Sequence, residues 1–192
     1  MISYSCIEEK DLSQIIALYE NYLNSGEYIR NSMEKEFYNG DYLGFKACKD
    51  GEIVGFFTGQ SGISFTCPHP ELENEIKEFA KDRKIYTPDG LLVLEEYRGR
   101  EITRELVGRM RRALLDKKVE LALVELWIYP DGSIPAQKPL RGIGEAVYQK
   151  KVPLFYKEIK KYGIRCPICG EDCTCGALLE LLEVKSDSDE GV

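Results

Sequence analysis

The sequence is short of several things, and each shortage narrows the field. It has one histidine, His69, in 192 residues, so any imidazole base or ligand rests on that residue alone. His69 sits between Pro68 and Pro70, a setting that suits a turn or a cap. Its neighbour Cys67 keeps a metal reading open. No apolar run approaches the ~20 residues of a membrane-spanning helix, so no membrane partner is expected. The first residues, Met1-Ile2-Ser3-Tyr4-Ser5-Cys6, carry no basic segment with an apolar one behind it. No secretory leader is expected, and the cytoplasm is the expected location. Positive charge is scarce: 26 Lys and Arg against 33 Asp and Glu give a net charge of −7. That balance argues against nucleic acid as a partner.

What is present suits one domain with a sizeable core. Hydrophobic residues make up 43% and charged residues 31%, ordinary values for a globular chain. The seven cysteines are an odd number, and four of them fall between Cys166 and Cys175. That pattern speaks for reduced thiols or a metal and against a secreted disulfide framework.

The chain is organised around Tyr86 to Lys118. The turn signature Thr87-Pro88-Asp89-Gly90 precedes Leu91-Leu92-Val93-Leu94, a short apolar run that reads as a buried strand. A polar, Arg-rich stretch follows. From Ile102 the apolar residues Leu106, Val107, Met110, Ala113 and Leu114 recur at helical spacing. Between Arg98 and Lys118 there are eight Arg or Lys against three Asp or Glu. A helix start carries unpaired N–H groups and the positive end of the dipole. Set at the end of a buried strand, it makes an anion site. A solvated basic helix face is the plainer alternative.

This junction, Val93-Leu94-Glu95-Glu96-Tyr97-Arg98-Gly99-Arg100-Glu101-Ile102-Thr103 with the helix behind it, resembles the acetyl-coenzyme A motif of the GCN5-related N-acetyltransferases (GNAT). The family pattern is Arg or Gln, two residues, Gly, one residue, then Gly or Ala. Arg98 matches its first position. Glu101 stands where Gly is usual, and Thr103 where Gly or Ala is. Gly lets backbone approach a pyrophosphate closely, whereas a carboxylate there repels it unless it points away. A Thr hydroxyl can cap the turn or donate to a phosphate.

The order of the other elements fits the same resemblance. Residues 2–7 read as a first strand. Asp11-Leu12-Ser13-Gln14 reads as a capping box, opening a helix with Ile15, Ile16, Tyr19, Tyr22 and Leu23 on its apolar side. A shorter helix is expected over 31–38. In the resembled family this region forms part of the acceptor pocket, which Tyr22, Tyr28 and Tyr38 would line; as core or surface aromatics they need no ligand. Residues 42–48 and 52–59 are strands joined by Lys49-Asp50-Gly51, a strong hairpin signal. Pro70 opens an inserted helix to about Asp82, with Leu72, Ile76 and Phe79 on one face.

Leu121 to Ile128 is almost continuously apolar, which suits a central strand buried on both faces and parallel to 91–94. In the family these two strands splay apart and admit the pantetheine arm. Glu125 is the one acid in that strand. Buried, its pKa would rise and suit a general base, acting directly or through water; at a strand end it would simply face solvent. Pro130 to Leu140 is a loop, and a helical stretch is expected from Gly144 to about Lys151. Pro153 then restarts a helix that Gly163 ends. The run from Leu154 to Ile164 resembles the late family helix, which would put Tyr156 where many members place the Tyr that protonates the departing thiolate. A buried structural Tyr is the alternative.

Cys166-Pro167-Ile168-Cys169-Gly170 is a knuckle, two thiols two residues apart with Gly closing the turn. With Cys173 and Cys175 it makes four thiolates, enough for a tetrahedral Zn site. A metal shared with Cys67 or His69, or plain thiols at a hairpin tip, are the alternatives. Ala177 to Val184 reads as the last strand, so the cluster caps a final hairpin and is structural.

The expected fold is α+β or α/β: a GNAT-like mixed central sheet flanked by helices, with an inserted helix and a Cys-rich hairpin (165–176). One domain spans 1–184, and an acidic tail covers 185–192. The resemblance implies direct acetyl transfer from acetyl-coenzyme A to a primary amine on a small molecule or peptide. Backbone amides of Leu92, Val93 and Leu94 would hold the pantetheine and polarise the thioester. Arg98, Gly99, Arg100, Glu101, Ile102 and Thr103 would hold the pyrophosphate. Glu125 would assist amine deprotonation, and Tyr156 would be the acid. A homodimer is compatible with this reading. The alternative is a non-catalytic GNAT-like module that binds a ligand or metal through the cysteine hairpin; a zinc-ribbon nucleic-acid binder is disfavoured by the acidic charge.

Overall fold

In the computed structural model, residues 1–99 and 101–185 are described; Arg100 and the expected acidic tail from Ser186 onward lie outside the described residues. The strands are β1 (Ile2–Cys6), β2 (Tyr42–Lys49), β3 (Glu52–Ser61) and β4 (Ile85–Val93), then β5 (Leu121–Ile128), β6 (Gly144–Val152) and β7 (Gly176–Val184). The helices are α1 (Leu12–Tyr22), α2 (Glu27–Tyr38), α3 (Pro70–Ala80), α4 (Ile102–Asp116) and the single turn α5 (Gln137–Leu140). The strands form a seven-stranded mixed sheet in the order β1-β2-β3-β4-β5-β7-β6. Every neighbouring pair is antiparallel except β4 and β5. No helix among the described residues is long and apolar enough to cross a membrane.

Alternating side chains of the central strands feed two layers. Ala122, Val124 and Leu126 of β5 meet the apolar stripe of α4, where Ile102, Leu106, Val107, Met110 and Leu114 are buried. Leu121 and Leu123 point the other way and meet Ile76 and Ala80 of α3. α1 and α2 cover the neighbouring part of that second face, packed with Phe56, Leu92 and the cysteine segment. The unbroken apolar character of β5 follows from burial on both faces. At the β2–β3 hairpin, Asp50 and Gly51 both have positive φ, 52° and 91°, the backbone that a two-residue turn requires.

Five local expectations are corrected. Thr87-Pro88-Asp89-Gly90 is not a turn; it lies inside β4. Gly144–Lys151 is not a helix; it is the edge strand β6, whose exposure alternates residue by residue. The period there is two, which places Glu145, Val147, Gln149 and Lys151 outward. From Pro153 to Gly163 the chain makes turns and one 3-10 turn, Ile159–Tyr162, closed by Gly163 at φ 64°. Phe155, Tyr156 and Ile159 are driven into the core, and the Tyr156 amide is tied to the Cys175 carbonyl at 3.4 Å instead of to its own helix. The capping box sits one turn earlier than expected: Glu8 N–H donates to Asp11 at 2.8 Å, while α2 starts at Glu27, before the expected Asn31.

The end of the chain is clipped to its beginning. Arg165 N–H donates to the Ser25 carbonyl at 2.9 Å, and Ser25 N–H to the Arg165 carbonyl at 3.4 Å. Gly26 is required beside this bridge: it has φ +140°, and a Cβ on it would lie 2.3 Å from the Gly163 carbonyl oxygen.

Asp11 is turned away from α1 because it pairs with Lys46 of β2, and both side chains are about a tenth exposed, 11% and 9%. Burial alone would raise the Asp11 pKa, but Lys46 and the Glu8 amide together bring it below its usual value. Removing one member leaves the other charge buried and unpaired. Lys46→Met should therefore destabilise the fold by about 3–5 kcal/mol, read by urea denaturation, and adding Asp11→Leu should restore most of the loss. A single variant as stable as the parent would refute this.

Candidate active site

The site is a split in the sheet. β4 and β5 pair only through Ile85↔Leu121 and Tyr86↔Ala122. Beyond those rungs β4 stays with β3 and β5 stays with β7. The sequence explains where they part. Pro88 has no N–H to give a neighbour. Asp89 is the extra residue of a bulge, since Thr58 pairs Gly90 while Gly59 pairs Pro88. Three residues beyond Tyr86 and Ala122, a continued ladder would set Asp89 beside Glu125. Two carboxylates in that position repel.

The split leaves alternate amides of β4 facing open space. Leu94 donates its N–H to Val54 at 3.0 Å. By the alternation of an antiparallel ladder, Leu92 does the same toward β3, and Leu91 and Val93 face the split. The Val93 carbonyl points that way too, because it accepts from Arg98 Nε at 3.2 Å. Of the expected trio Leu92, Val93 and Leu94, Val93 thus presents its amide to the split, and the other two amides belong to the ladder.

α4 begins at the same mouth, with Arg98 and Thr103 on the cavity wall. Gly99 has φ 72° and Glu101, which precedes the first turn, has φ 60°. The Glu101 carboxylate pairs with Arg104 out in solvent, with the two side chains 65% and 78% exposed. Ile102 is buried beneath the helix, so only its backbone N–H can serve a ligand. Arg100 lies outside the described residues.

A cavity of about 450 Å³ runs from Arg98 and Thr103, past Leu92 and Val93, to the α1–α2 side of the sheet. There its walls include Tyr19, Tyr22, Tyr28, Glu36, Asp89 and Glu125. Tyr38 is elsewhere, exposed and bonded to Glu9 at 3.2 Å.

Glu125 is held by three donors. Thr66 N–H reaches Oε2 at 2.9 Å, while the Thr66 hydroxyl and the Tyr156 hydroxyl, the latter at 2.8 Å, donate to Oε1. Burial pushes the Glu125 pKa up and these donors pull it back, leaving it raised. Tyr156 is fully buried, stacked on Trp127 with ring centroids 3.6 Å apart. Burial and the Glu125 charge hold its own pKa far above the usual value. The two residues assigned separate roles from the sequence are therefore one hydrogen-bonded unit, with Tyr156 behind Glu125 and away from the cavity wall.

Three residues of the site were not anticipated from the sequence. Thr66 lies in a loop with no motif. Asp89 was hidden in a turn signature; it accepts from the Thr58 hydroxyl at 2.7 Å, and the protein around it raises its pKa to about 6. Glu36 is one of three acids on α2; burial, then the Asp89 charge, raise its pKa to about 7.

The cysteine hairpin closes one end of this wall through Pro167. The thiols of Cys166, Cys169, Cys173 and Cys175 lie within 4.8 Å of one another. Ile168 and Cys169 both aim N–H groups at Cys166 Sγ, 3.4 Å away. Cys169 and Cys175 Sγ are 3.6 Å apart, close to the edge of a tetrahedron of sulfurs around a metal with bonds of ~2.3 Å. Cys67 and His69 stand outside this group and contact each other at 3.5 Å.

No family model matches the sequence, and no curated protein does. Solved structures are similar in fold. Arabidopsis thaliana NAA60, solved in complex with acetyl-CoA, superposes with a TM-score of 0.68 at 16% identity, over 97% of this chain and 100% of that one. A NatC complex bound to Gag peptide and CoA gives 0.65 at 15% identity, over 96% and 99%. The ribosomal-protein alanine N-acetyltransferase of Escherichia coli gives 0.59 at 12% identity, over 100% and 99%.

Glu101 occupies a left-handed backbone position that disfavours a side chain, and its exposed ion pair with Arg104 adds little. Glu101→Gly should stabilise the protein by about 1 kcal/mol, measured as a shift in the denaturation midpoint. Glu101→Ala keeps the Cβ and should gain nothing; equal gains from both would show that the backbone is unstrained.

Proposed function

We propose that this chain, which has the fold of the GCN5-related N-acetyltransferases, is an acetyl-coenzyme A-dependent N-acetyltransferase acting by direct transfer to a primary amine. One domain over residues 1–184 carries the activity, in the cytoplasm. The observation that carries the reading is the two-rung seam between β4 and β5. It opens a passage with a helix N-terminus at one mouth and a carboxylate at the other.

Each group has a role set by its position. Arg98, Thr103 and the first N–H groups of α4 hold the pyrophosphate, because free amides and the helix dipole favour an anion there. Gly99 and Glu101 supply the backbone of that turn, with the Glu101 carboxylate directed to Arg104. The Val93 N–H lies along the thiol arm, where it stabilises negative charge developing on the thioester oxygen. Glu125 takes the proton that the amine loses as its nitrogen bonds to the acetyl carbon and the carbon–sulfur bond breaks. Tyr156 and Thr66 fix the Glu125 carboxylate and keep it ionised. Tyr156 is a positioning residue here: its hydroxyl is engaged by Glu125, so the thiolate takes its proton from water or from the protonated Glu125.

Cys166, Cys169, Cys173 and Cys175 hold a zinc ion as a structural cross-link. Their convergence and the N–H groups aimed at Cys166 suit four thiolates on one metal. Zinc would neutralise thiolate charge there and take no part in the transfer.

Acetyl-coenzyme A should raise the thermal midpoint of the purified protein; no shift would favour the non-catalytic module instead. Glu125→Gln should lower kcat by about 10²–10⁴-fold with thermal stability retained. The rate should fall as pH drops through the raised Glu125 pKa. Tyr156→Phe removes a donor from the ionised form, so its acid limb should move to higher pH; an unmoved limb would separate Tyr156 from the base. Denatured protein should release one zinc per chain, and Cys169→Ser should release markedly less; metal-free wild-type protein would refute the cross-link.

A further inference from the structure

The far end of the cavity carries more carboxyl groups than one reacting amine needs. Glu36 from α2, Asp89 from β4 and Glu125 from β5 all line it. Among the described residues lining the cavity, Arg98 is the one cation, and it stands at the α4 mouth. Glu125 already has Thr66 and Tyr156. Glu36 is less well served. Ser32 donates to its Oε1 at 2.6 Å and the nearby Gln60 amide helps lower its pKa, but its buried Oε2 has no partner within hydrogen-bond geometry. A buried carboxylate oxygen without a donor is costly and calls for one. The Asp89 charge raises the pKa of both Glu36 and Glu125, so Asp89 is felt by both other acids across the cavity.

The walls between these acids are aromatic: Tyr19, Tyr22, Tyr28, Phe65 and Trp127. Aromatic faces and carboxylates together favour cations with slim apolar bodies. The volume of about 450 Å³ must also admit the thiol arm, which leaves room for a narrow chain. A free amino acid would bring its own carboxylate into a wall of three acids with no cation to meet it.

We propose that the acceptor is an aliphatic diamine or polyamine, with one amine reacting beside Glu125 and a second ammonium held by Glu36 and Asp89. This deepens the acetyltransferase reading and rests on it for the reacting end. The ammonium end can be tested without turnover.

The full chain is assayed for thiol release from acetyl-coenzyme A with 1,4-diaminobutane, spermidine, 1-aminobutane, lysine and a neutral peptide. The diamine and spermidine should exceed 1-aminobutane in kcat/KM by at least about tenfold, the worth of one charge-assisted contact. In Glu36→Gln and Asp89→Asn that ratio should fall toward one. Spermidine alone should raise the thermal midpoint of the wild type and do so less in both variants, with the acetyl-coenzyme A shift as the check that each variant is folded. Equal turnover of 1-aminobutane and the diamine, or preference for lysine or the peptide, overturns the proposal. So does an acetyl-coenzyme A shift without a spermidine shift. If spermidine binds but acetyl-coenzyme A does not, the transferase reading fails and the cationic site stands.

Discussion

Two hydrogen-bonded rungs hold the halves of this sheet together, and the rest of the molecule is arranged around that scarcity. A parallel pair whose ladder stops at Tyr86 and Ala122 leaves backbone groups of both strands to find other partners. β5 is secured by β7 along its whole length and β4 by β3, so the split costs the sheet little. The devices that end the ladder are Pro88, the bulge at Asp89 and the facing acids Asp89 and Glu125. Each is weak alone. Together they fix where the passage opens, in line with the N-terminus of α4.

Much of this was readable from residues alone, because periodicity and turn chemistry agreed with the tertiary environment. The α4 stripe from Ile102 to Leu114, the Asp50-Gly51 hairpin, the two-faced strand Leu121–Ile128 and the cysteine knuckle are cases where local and global preferences coincide. The failures share the opposite character. Thr87-Pro88-Asp89-Gly90 has turn composition, yet its neighbours on β3 hold it extended. The residues from Gly144 to Lys151 have polar side chains that suit a helix, but β7 offers an unpaired edge. Residues 153–163 have helical spacing, but the fold needs Tyr156 under Glu125.

The site was harder to read than the fold for a related reason. Glu125 stands out because it is the one acid in an apolar strand, and Tyr156 because of its resemblance to a family helix. Asp89, Glu36 and Thr66 carry no local mark. They become a site only when α2, the bulge of β4 and the loop before α3 meet over one cavity. Their altered chemistry comes from that meeting: desolvation raises the pKa of both Asp89 and Glu36, and the Asp89 charge raises Glu36 further.

The bridge between Ser25 and Arg165 carries a lesson about order of assembly. On the ribosome, α1 and α2 emerge early, and Arg165, which latches their joining turn, emerges only after the β6 segment, with β7 still to come. A nascent chain therefore holds its first helices against a half-built partner, with Gly26 waiting for a carbonyl that does not yet exist. Closure is a late, long-range event, which slows folding as loop-closure entropy requires.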